Sequence, residues 1–404
     1  MALVVQKYGG TSIGTIERIK KVAERVGSYH DRGDKVIVVV SAMSGETDKL
    51  INYAYQITDS PLERELDMLI STGEQVSIAL LAMAIHALGY EAKSFAGHQV
   101  RITTDSSHTK ARIVNIDTQK IEQELAKGKI LIIAGFQGVD ENEEITTLGR
   151  GGSDTTGVAI AAAIKADICE IYTDVDGVYT TDPNIVPNAK KIEKISYDEM
   201  LELASLGAKV LQIRSVEFAS KYNVNIAVRS SFNHNPGTLV TREDASMEKV
   251  LVRGVTYNKN ESKVTVKGLP DKPGVAARVF DEIAKANIIV DMIIQNTSEN
   301  GIADISFTVP KNEAKKSVKI ISDLLQTIGA SEVKSDDKIA KISLVGLGMK
   351  SHTGIASKAF NILAKEGINI LMITTSEIAI SCVIEEKYTE LAVRVLHDAF
   401  ELEK

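Results

Sequence analysis

The order of apolar and polar stretches in the first half of the chain predicts alternating strands and helices. Short apolar runs at 2–8, 35–40, 92–95, 130–134, 168–173 and 225–228 are typical of strands. Val36 to Val40 is β-branched throughout, as in a strand covered on both faces. Five stretches have helical periodicity. Two of them end at Val26 and at Leu88, and the other three span 48–58, 63–69 and 158–164. This alternation predicts an α/β fold in which helices sandwich a mostly parallel sheet.

Polar, glycine-rich motifs follow several of these predicted strands. Gly9-Gly10 comes after the first, Ser41 to Asp48 after the second, and Thr173-Asp174 after a later one. Ligands of open α/β sheets bind beyond the carboxyl ends of the strands. The pattern therefore predicts a binding site at this edge of the sheet.

The stretch Thr147 to Thr156 lies between a predicted strand and an apolar, Ala-rich helix. Its glycines let backbone N–H groups approach a ligand, and Arg150 offers a fork for a carboxylate or phosphate. Ser153, Asp154 and Thr155 are each candidate helix N-caps. We interpret the stretch as an anion site, with a plain tight turn as the alternative.

Other residues leave two interpretations open. Lys7 is either a solvated surface lysine or an anion contact. Ser71-x-x-Glu74 fits a capping box, and on sequence alone this structural role of Glu74 is favoured. The acids and hydroxyls of 173–183 could hold a nucleoside or form a hairpin. Lys209 fits a cation at a helix C-terminus.

Composition narrows the class of protein. At 404 residues, two or three domains are expected. A net charge of −7 without a basic, aromatic-rich run argues against nucleic acid, and no uninterrupted apolar run reaches membrane-spanning length. The chain enters a strand at once, so no signal peptide is expected, and Cys169 and Cys382 fit buried thiols in a reducing cytoplasm. The seven histidines show no metal-ligand spacing, and the P-loop and dinucleotide fingerprints are absent from the sequence.

The second half of the chain contains an internal repeat. Lys263 to Gly268 corresponds to Lys341 to Gly346, and Phe280 corresponds to Phe360, 80 residues later. Each copy has the pattern strand, glycine turn, helix, strand, strand. Two copies are typical of a paired module. A duplicated structural domain without a ligand is the alternative.

Four motifs in the first half carry a specific resemblance. They are Lys7-Tyr8-Gly9-Gly10-Thr11-Ser12, Ser71-Thr72-Gly73-Glu74, Gly149 to Asp154, and Thr173 to Pro183. In this order they resemble the signature motifs of the aspartate kinase family, and the likeness covers essentially the whole chain. The resemblance implies the amino acid kinase fold and transfer of the γ-phosphoryl group of Mg²⁺-bound ATP to the β-carboxylate of L-aspartate. The product, 4-phospho-L-aspartate, opens lysine, threonine and methionine biosynthesis.

The resemblance also implies roles for individual residues. Lys7 and Asp154 would be catalytic, Arg150 would bind the α-carboxylate of aspartate, and Glu74 would bind its ammonium. The same pocket would be lined by Ser41, Thr47, Gly151, Gly152 and Ser153. The nucleotide would contact Lys7, Tyr8, Gly9, Gly10, Thr173, Asp174, Tyr179, Asp182, Asn184, Lys209 and Val210. Asn184 stands where many relatives have arginine, so the chain departs from the family pattern at this position.

The repeats resemble ferredoxin-like α+β ACT domains, which implies amino-acid effectors and feedback inhibition by lysine, threonine or both. The expected domains are 1–245 (kinase), 263–337 (first ACT), and 246–262 with 338–404 (second ACT), because a strand near Val250 to Val255 would pair with the second copy. The implied effector contacts are Asp271, Lys272, Pro273, Gly274, Val275, Ala276, Asp291, Gln295, Ile355, Ala356, Asn369, Ile370, Ser376 and Glu377.

Further expectations concern assembly and alternatives. The paired modules imply a homo-oligomer, a dimer or tetramer, and Met247 could start a short regulatory subunit. Two other functions stay open at this point. One is another kinase of this fold that forms an acyl phosphate on glutamate or acetylglutamate. The other is a catalytically silent amino-acid sensor.

Overall fold

The computed structural model describes residues 1–208, 210–244, 251–297, 301–347, 349, 352 and 354–404. Lys209 and Met247 lie outside these residues. The chain forms two compact units. The first consists of Met1–Tyr179, Lys191–Ser205 and Lys209–Lys249, and the second of Thr180–Lys190, Leu206–Ala208 and Val250–Lys404.

The described residues of the first unit contain strands β1 to β14 and helices α1 to α8. The strands are β1 Leu3–Tyr8, β2 Lys35–Val40, β3 Ala92–Phe95, β4 Ile102–Thr104, β5 Ile113–Ile116, β6 Ile130–Ala134, β7 Gln137–Val139, β8 Ile145–Thr147, β9 Ile168–Thr173, β10 Val178–Tyr179, β11 Lys191–Ile192, β12 Lys194–Ser196, β13 Ile226–Ser230 and β14 Thr238–Thr241. The helices are α1 Ile16–Asp31, α2 Glu46–Ile57, α3 Glu63–Ile70, α4 Thr72–Ala87, α5 Gln119–Leu125, α6 Gly152–Ala163, α7 Tyr197–Ser205 and α8 Ile213–Tyr222.

The main sheet of the first unit is largely parallel, as predicted. Its strand order in the described residues is β12-β14-β13-β9-β1-β2-β6-β3, and the one antiparallel pairing is that of β13 with β14. β1 lies between β2 and β9, which sets Lys7 beside Val39 and Ile171. The strands predicted at 35–40, 92–95, 130–134 and 168–173 have those bounds in the structure. The carboxyl ends of β1, β2, β6 and β9 therefore share one edge.

Two predictions about local structure were wrong. α6 begins at Gly152 after Gly151, whose φ of 70° only glycine adopts easily, so Ser153, Asp154 and Thr155 lie inside the first turn and do not cap it. Ser71 has helical dihedral angles and its hydroxyl donates to the Met68 carbonyl at 3.0 Å instead of accepting a helix N–H, so the capping box is not formed. In addition, β7 and β8 separate β6 from the glycine-rich stretch and join β4 and β5 in a small sheet.

The second unit contains the two repeat copies, each a four-stranded antiparallel sheet with two helices. The first copy has β16 Glu261–Pro270, β17 Ile293–Thr297, β18 Ile302–Pro310, β19 Glu332–Asp336, α9 Val275–Lys285 and α10 Ala314–Ile328. The second has β15 Gly254–Asn258, β20 Ile339–Val345, β21 Ile370–Thr375, β22 Ala379–Glu385, α11 Ile355–Lys365 and α12 Thr389–Ala399. β15 pairs with β20, so the first copy is inserted into the second.

The segment Thr180–Lys190 belongs to this second unit although it follows β10 directly. Val255 donates its N–H to the Thr180 carbonyl at 2.7 Å, and the Thr180 hydroxyl lies 3.0 Å from Nε2 of the buried His397. Val186 is buried among the apolar side chains of the second copy. Part of the segment predicted as 1–245 therefore packs into the core of the second repeat copy.

Among the described residues, one helical stretch, Glu63–Ala87, is long and apolar enough by composition to cross a membrane. Half of its apolar window is buried within the structure. Ile78, Leu81 and Ile85 of this stretch pack into the core beside the main sheet. Core helices meet the same criteria, so the stretch is weak evidence for a membrane segment.

Candidate active site

Lys7 and Asp154 form a nearly buried ion pair at the edge of the main sheet. Lys7 is the last residue but one of β1, and Asp154 lies in the first turn of α6. Lys7 Nζ is 2.5 Å from Asp154 Oδ1, and the two side chains are 10% and 12% exposed. Gly157, one turn further along α6, lets the helix approach, because a Cβ there would lie 3.2 Å from the Lys7 Cβ. The pair is thus fixed by strand and helix together.

The turn after β1 provides backbone donors beside this lysine. A Cβ at Gly9 would lie 3.5 Å from Lys7 Nζ, and one at Gly10 would lie 2.8 Å from the Ala42 carbonyl oxygen. The Gly9 N–H donates to the Tyr172 carbonyl at 3.2 Å, so it is committed to β9. The N–H groups that open the 3₁₀ helix Gly10–Ile13 have no carbonyl within that helix. Those amides can face an anion.

Glu74 is a buried carboxylate with half of its hydrogen-bonding capacity used. Its Oε1 accepts the Ala42 N–H at 2.9 Å, whereas its buried Oε2 has no hydrogen-bond partner among the described residues. Burial raises the pKa of the Glu74 carboxyl to about 7. A buried acceptor without a donor is costly, and an ammonium group would satisfy it. The contact with Ala42, next to the end of β2, places Glu74 at the same sheet edge.

Arg150 lies in the turn just before α6. Gly149 and Gly151 on either side have φ angles of 77° and 70°. Arg150 is exposed and makes no hydrogen bond or ion pair with the part of the chain that the structure describes. The turn itself is held, because Arg214 Nη1 donates to the Leu148 carbonyl at 2.7 Å.

The other predicted pocket residues occupy the neighbouring strand ends. Ser41 donates its N–H to the Tyr8 carbonyl at 3.1 Å, and Thr47 lies in the first turn of α2. The side chain of Ser153 lies over Gly135, where a Cβ would come within 2.8 Å of the Ser153 Cβ. The structure therefore brings Lys7, Asp154, Ser153, Ser41 and Glu74 to the ends of β1, β2 and β6, with Arg150 two residues before α6.

The predicted nucleotide residues fall into two groups. Thr173 ends β9 and donates its hydroxyl to Asp174 Oδ1 at 3.1 Å. Tyr179 donates its hydroxyl to Asp176 Oδ1 at 2.6 Å, and this bond lowers the pKa of Asp176 and raises that of Tyr179 to about 12. β10 and β11 pair in an antiparallel ladder, with the segment Thr180–Lys190 between them in the chain. The hydroxyl of Tyr179 is thus occupied by Asp176.

Asp182 and Asn184 lie in the second unit. Asp182 Oδ1 accepts the N–H and the Nδ2–H of Asn184, both at 2.9 Å, and Asp182 Oδ2 accepts the Tyr257 hydroxyl at 3.0 Å. These side chains have structural partners within that unit. Val210 is described and half-buried.

Sequence reasoning missed Glu170, a buried acid in the middle of β9. It is 3% exposed and accepts hydrogen bonds from Gln6 Nε2 at 2.9 Å, the Tyr29 hydroxyl at 3.0 Å and the Tyr172 hydroxyl at 3.1 Å. Arg229 Nη1 lies 3.3 Å from it. The network ties β1, β9 and β13 to α1 behind the site. An acid inside an apolar strand was the available signal, because a buried charge needs partners.

Most of the effector-binding residues predicted in the first repeat copy line a cavity of about 310 Å³. Asp271 to Ala276 and Gln295 line it, together with Leu269 and Ile305. Asp291 does not line it and instead forms an ion pair with Lys341. In the second copy, the Ser376 hydroxyl accepts the N–H groups of Ile378 and Ala379 at 3.3 and 2.9 Å. Ile355 is buried, Ile370 is half-buried and Asn369 is exposed.

Comparisons with known proteins agree with this architecture. The model of the amino acid kinase family matches residues 2–230, and an ACT domain model matches residues 264–325 and 342–400. The aspartate kinase of Pseudomonas putida is 59% identical over 404 residues, covering 100% of this chain and 98% of the relative. Escherichia coli aspartokinase III in complex with aspartate and ADP has a TM-score of 0.81 and 26% identity, with 98% of this chain and 99% of that chain covered. The same enzyme with lysine and aspartate gives a TM-score of 0.78, 26% identity and the same coverage.

The parallel sheet, the Lys7–Asp154 pair at its edge and the paired repeats define an amino acid kinase that carries ACT domains. Such enzymes transfer a phosphoryl group from ATP. Within that class, the chain belongs to the aspartate kinase family. It is an ATP-dependent phosphotransferase with a carboxyl group as acceptor.

Proposed function

We propose that this chain joins the γ-phosphoryl group of ATP to the β-carboxylate of L-aspartate at the edge formed by β1, β2, β6 and α6. A carboxylate is already ionised at neutral pH, so it needs no general base. Catalysis then consists of aligning two anions and neutralising the charge that spreads over the phosphoryl oxygens. The observation that carries the proposal is the Lys7 ammonium held 2.5 Å from Asp154 beside the glycine turn.

In this proposal, Lys7 stabilises the transferred phosphoryl group. Asp154 holds its ammonium in place, and the strand and helix prevent either side chain from moving away. The amides that open Gly10–Ile13 add neutral donors on the same side. Fixed donors of this kind cost no reorganisation during the reaction.

Glu74 and Arg150 bind the two ends of the amino-acid backbone. The unpartnered Oε2 of Glu74 accepts the α-ammonium, and the exposed guanidinium of Arg150 binds the α-carboxylate. Ser41, Thr47 and Ser153 line the space between them. A free ammonium is required by this arrangement, which favours aspartate over acetylglutamate as the acceptor.

We place ATP over Thr173, Asp174 and the ring of Tyr179, and the resemblance to the family adds Lys209 and Val210 to its proposed contacts. Asp182 and Asn184 contribute indirectly at most, because their polar groups bind each other and Tyr257. Mg²⁺ prefers carboxylate oxygens together with phosphate and water. Asp154 Oδ1 is paired with the Lys7 ammonium at 2.5 Å, and in this proposal the same carboxylate would help to hold a metal-bound nucleotide. The ion would neutralise phosphate charge.

The ACT copies regulate the reaction by binding an amino acid. The supporting observations are the 310 Å³ cavity at Asp271 to Ala276 and the lysine bound to the related Escherichia coli enzyme. We place lysine, threonine or both as inhibitors, with the ACT boundaries predicted above and Thr180–Lys190 as an added segment of that unit. A cytoplasmic homo-oligomer built through ACT domains, with or without a short subunit that starts at Met247, completes the proposal.

A hydroxamate assay tests the reaction directly, because hydroxylamine traps an acyl phosphate. Purified full-length chain is incubated with ATP, Mg²⁺ and either L-aspartate, L-glutamate or N-acetylglutamate. We expect hydroxamate with aspartate and a much lower yield with the other two acceptors. Absence of product with all three would identify a silent sensor, and preference for another acceptor would overturn the assignment of aspartate.

A further inference from the structure

We propose that Asp67 is a positioning residue that fixes the distance between the two groups that bind the amino-acid backbone, Glu74 and Arg150. The inference rests on the proposed function. Asp67 lies in α3, is fully buried, and does not reach the predicted pocket residues itself. Its carboxylate collects hydrogen bonds from two separate loops.

The first loop is the one that leads to Arg150. Thr147, the last residue of β8, donates its N–H to Asp67 Oδ2 at 3.1 Å and its hydroxyl to Oδ1 at 2.5 Å. Arg150 follows three residues later. The carboxylate therefore holds the point at which the arginine turn begins.

The second loop contains His108 and Thr109 and packs against the turn Gly149-Arg150-Gly151. Thr109 donates its N–H to both Asp67 oxygens, at 3.1 and 3.0 Å, and His108 Nδ1 lies 2.9 Å from Oδ2. Thr109 has a φ of 64°, which is costly for a β-branched residue. Its carbonyl oxygen lies 3.0 Å from the position of a Cβ on Gly149, next to Arg150. Asp67 thus stabilises a strained residue whose carbonyl packs against the turn.

Asp67 is also linked to Glu74, because the two residues lie on the consecutive helices α3 and α4. Ser71 donates its N–H to the Asp67 carbonyl at 3.0 Å, and α3 and α4 together form the helical stretch Glu63–Ala87. Asp67 and Glu74 are seven residues apart, which places them on the same face and about 10 Å apart along the axis. One helical stretch therefore carries Glu74, the proposed partner of the substrate ammonium. The same stretch anchors the turn that contains Arg150, the proposed partner of the substrate α-carboxylate.

This geometry predicts a selective effect on one substrate. If Asp67 only stabilised the core, its loss would reduce the amount of active enzyme and leave both Michaelis constants unchanged. If it sets the spacing of Glu74 and Arg150, its loss weakens the binding of aspartate and spares ATP. A lost hydrogen bond to a charged group corresponds to a change of about ten- to a hundredfold.

The test compares Asp67→Asn with a matched buried acid. Asn keeps the shape but presents N–H groups to the Thr109 and Thr147 donors. Asp140 is 5% exposed and accepts the N–H groups of Asn142 and Glu144 at 2.9 Å within its own turn, and the Ser106 hydroxyl at 2.7 Å from the loop that also carries Thr109. Asp140→Asn therefore removes a comparable buried charge beside the same loop but leaves the bonds of Thr109 and Thr147 to Asp67 in place. Thr147→Val, which removes the 2.5 Å bond alone, serves if Asp67→Asn does not fold.

Steady-state kinetics with full-length chain give the result. We expect KM for aspartate to rise about ten- to a hundredfold in Asp67→Asn and by less in Thr147→Val, while KM for ATP changes less than about twofold. Asp140→Asn should leave both constants at the wild-type values. Equal changes for the two substrates, no change in either, or the same selectivity in Asp140→Asn would overturn the role of Asp67. A wild-type chain without aspartate-dependent turnover would instead refute the proposed function, and the positioning role with it.

Discussion

Replacing Glu74 with glutamine tests whether the buried carboxylate is kept for the substrate at the expense of stability. Burial raises the pKa of Glu74 from 4.5 to about 7. Because the folded-state pKa lies above the unfolded value, the folded protein retains a proton that the unfolded chain has lost between these two pH values. Stability therefore falls as pH rises through that window, and the full difference corresponds to roughly 3 kcal/mol.

Glu74→Gln removes this charge and keeps the contact with the backbone, since a glutamine oxygen can still accept the Ala42 N–H. We expect the variant to match the wild type near pH 4.5 and to exceed it by roughly 2 to 3 kcal/mol at pH 8. Urea unfolding of both proteins at the two pH values measures the difference. Glu124→Gln is a control of opposite sign, because hydrogen bonds from Lys93, Lys129 and Lys127 lower the pKa of Glu124 to about 2.

The affinity for aspartate should change with pH in the opposite direction to the stability of the fold. The ammonium of the substrate stabilises the ionised form of Glu74, so wild-type affinity should rise as pH increases through about 7. Glu74→Gln should bind aspartate about ten- to a hundredfold more weakly, and its affinity should not change in this pH range. Titration calorimetry at pH 6 and pH 8 measures both effects. A variant that unfolds with the wild-type pH dependence and binds aspartate normally would refute the reasoning.

Three further predictions address the lysine, the glycine turn and the ACT cavity. Lys7→Ala should lose at least about 10²-fold in kcat and stay folded, whereas Lys127→Ala should be unaffected; normal turnover by the first variant would exclude Lys7 from catalysis. Gly10→Val should abolish most activity and lower stability by about 1 to 3 kcal/mol in urea unfolding, because its Cβ would lie 2.8 Å from the Ala42 carbonyl oxygen. Asp271→Ala should remove the calorimetric heat of lysine or threonine binding and preserve uninhibited kinetics; unchanged heat would place the effector elsewhere.

The strands of the main sheet were predictable because their apolar runs are continuous. Val36 to Val40 and Ile130–Ala134 are buried on both faces, and this burial is visible as uninterrupted β-branched or apolar residues. The small sheet was not predicted. β4, β7 and β8 have three residues each, which is too short for a period of two to stand out.

The sequence predicted where the site lies. It did not predict all the contacts that the site residues make. Glycine and polar motifs at strand ends indicated the edge at which the structure pairs Lys7 with Asp154. The role of Glu74 could not be deduced locally, because its partner Ala42 lies 32 residues earlier in the chain. A capping box is a pattern within four residues, and tertiary contact overrides it here.

The excursion of Thr180–Lys190 into the second unit has a consequence for any polypeptide made from the C-terminal part alone. A product that began at Met247 would lack the backbone that pairs with Val255 and the hydroxyl beside His397. It would also leave open the space that Val186 fills between apolar side chains. Such a product would therefore lack these contacts of the second copy, whereas a chain that carries the eleven-residue segment Thr180–Lys190 retains them.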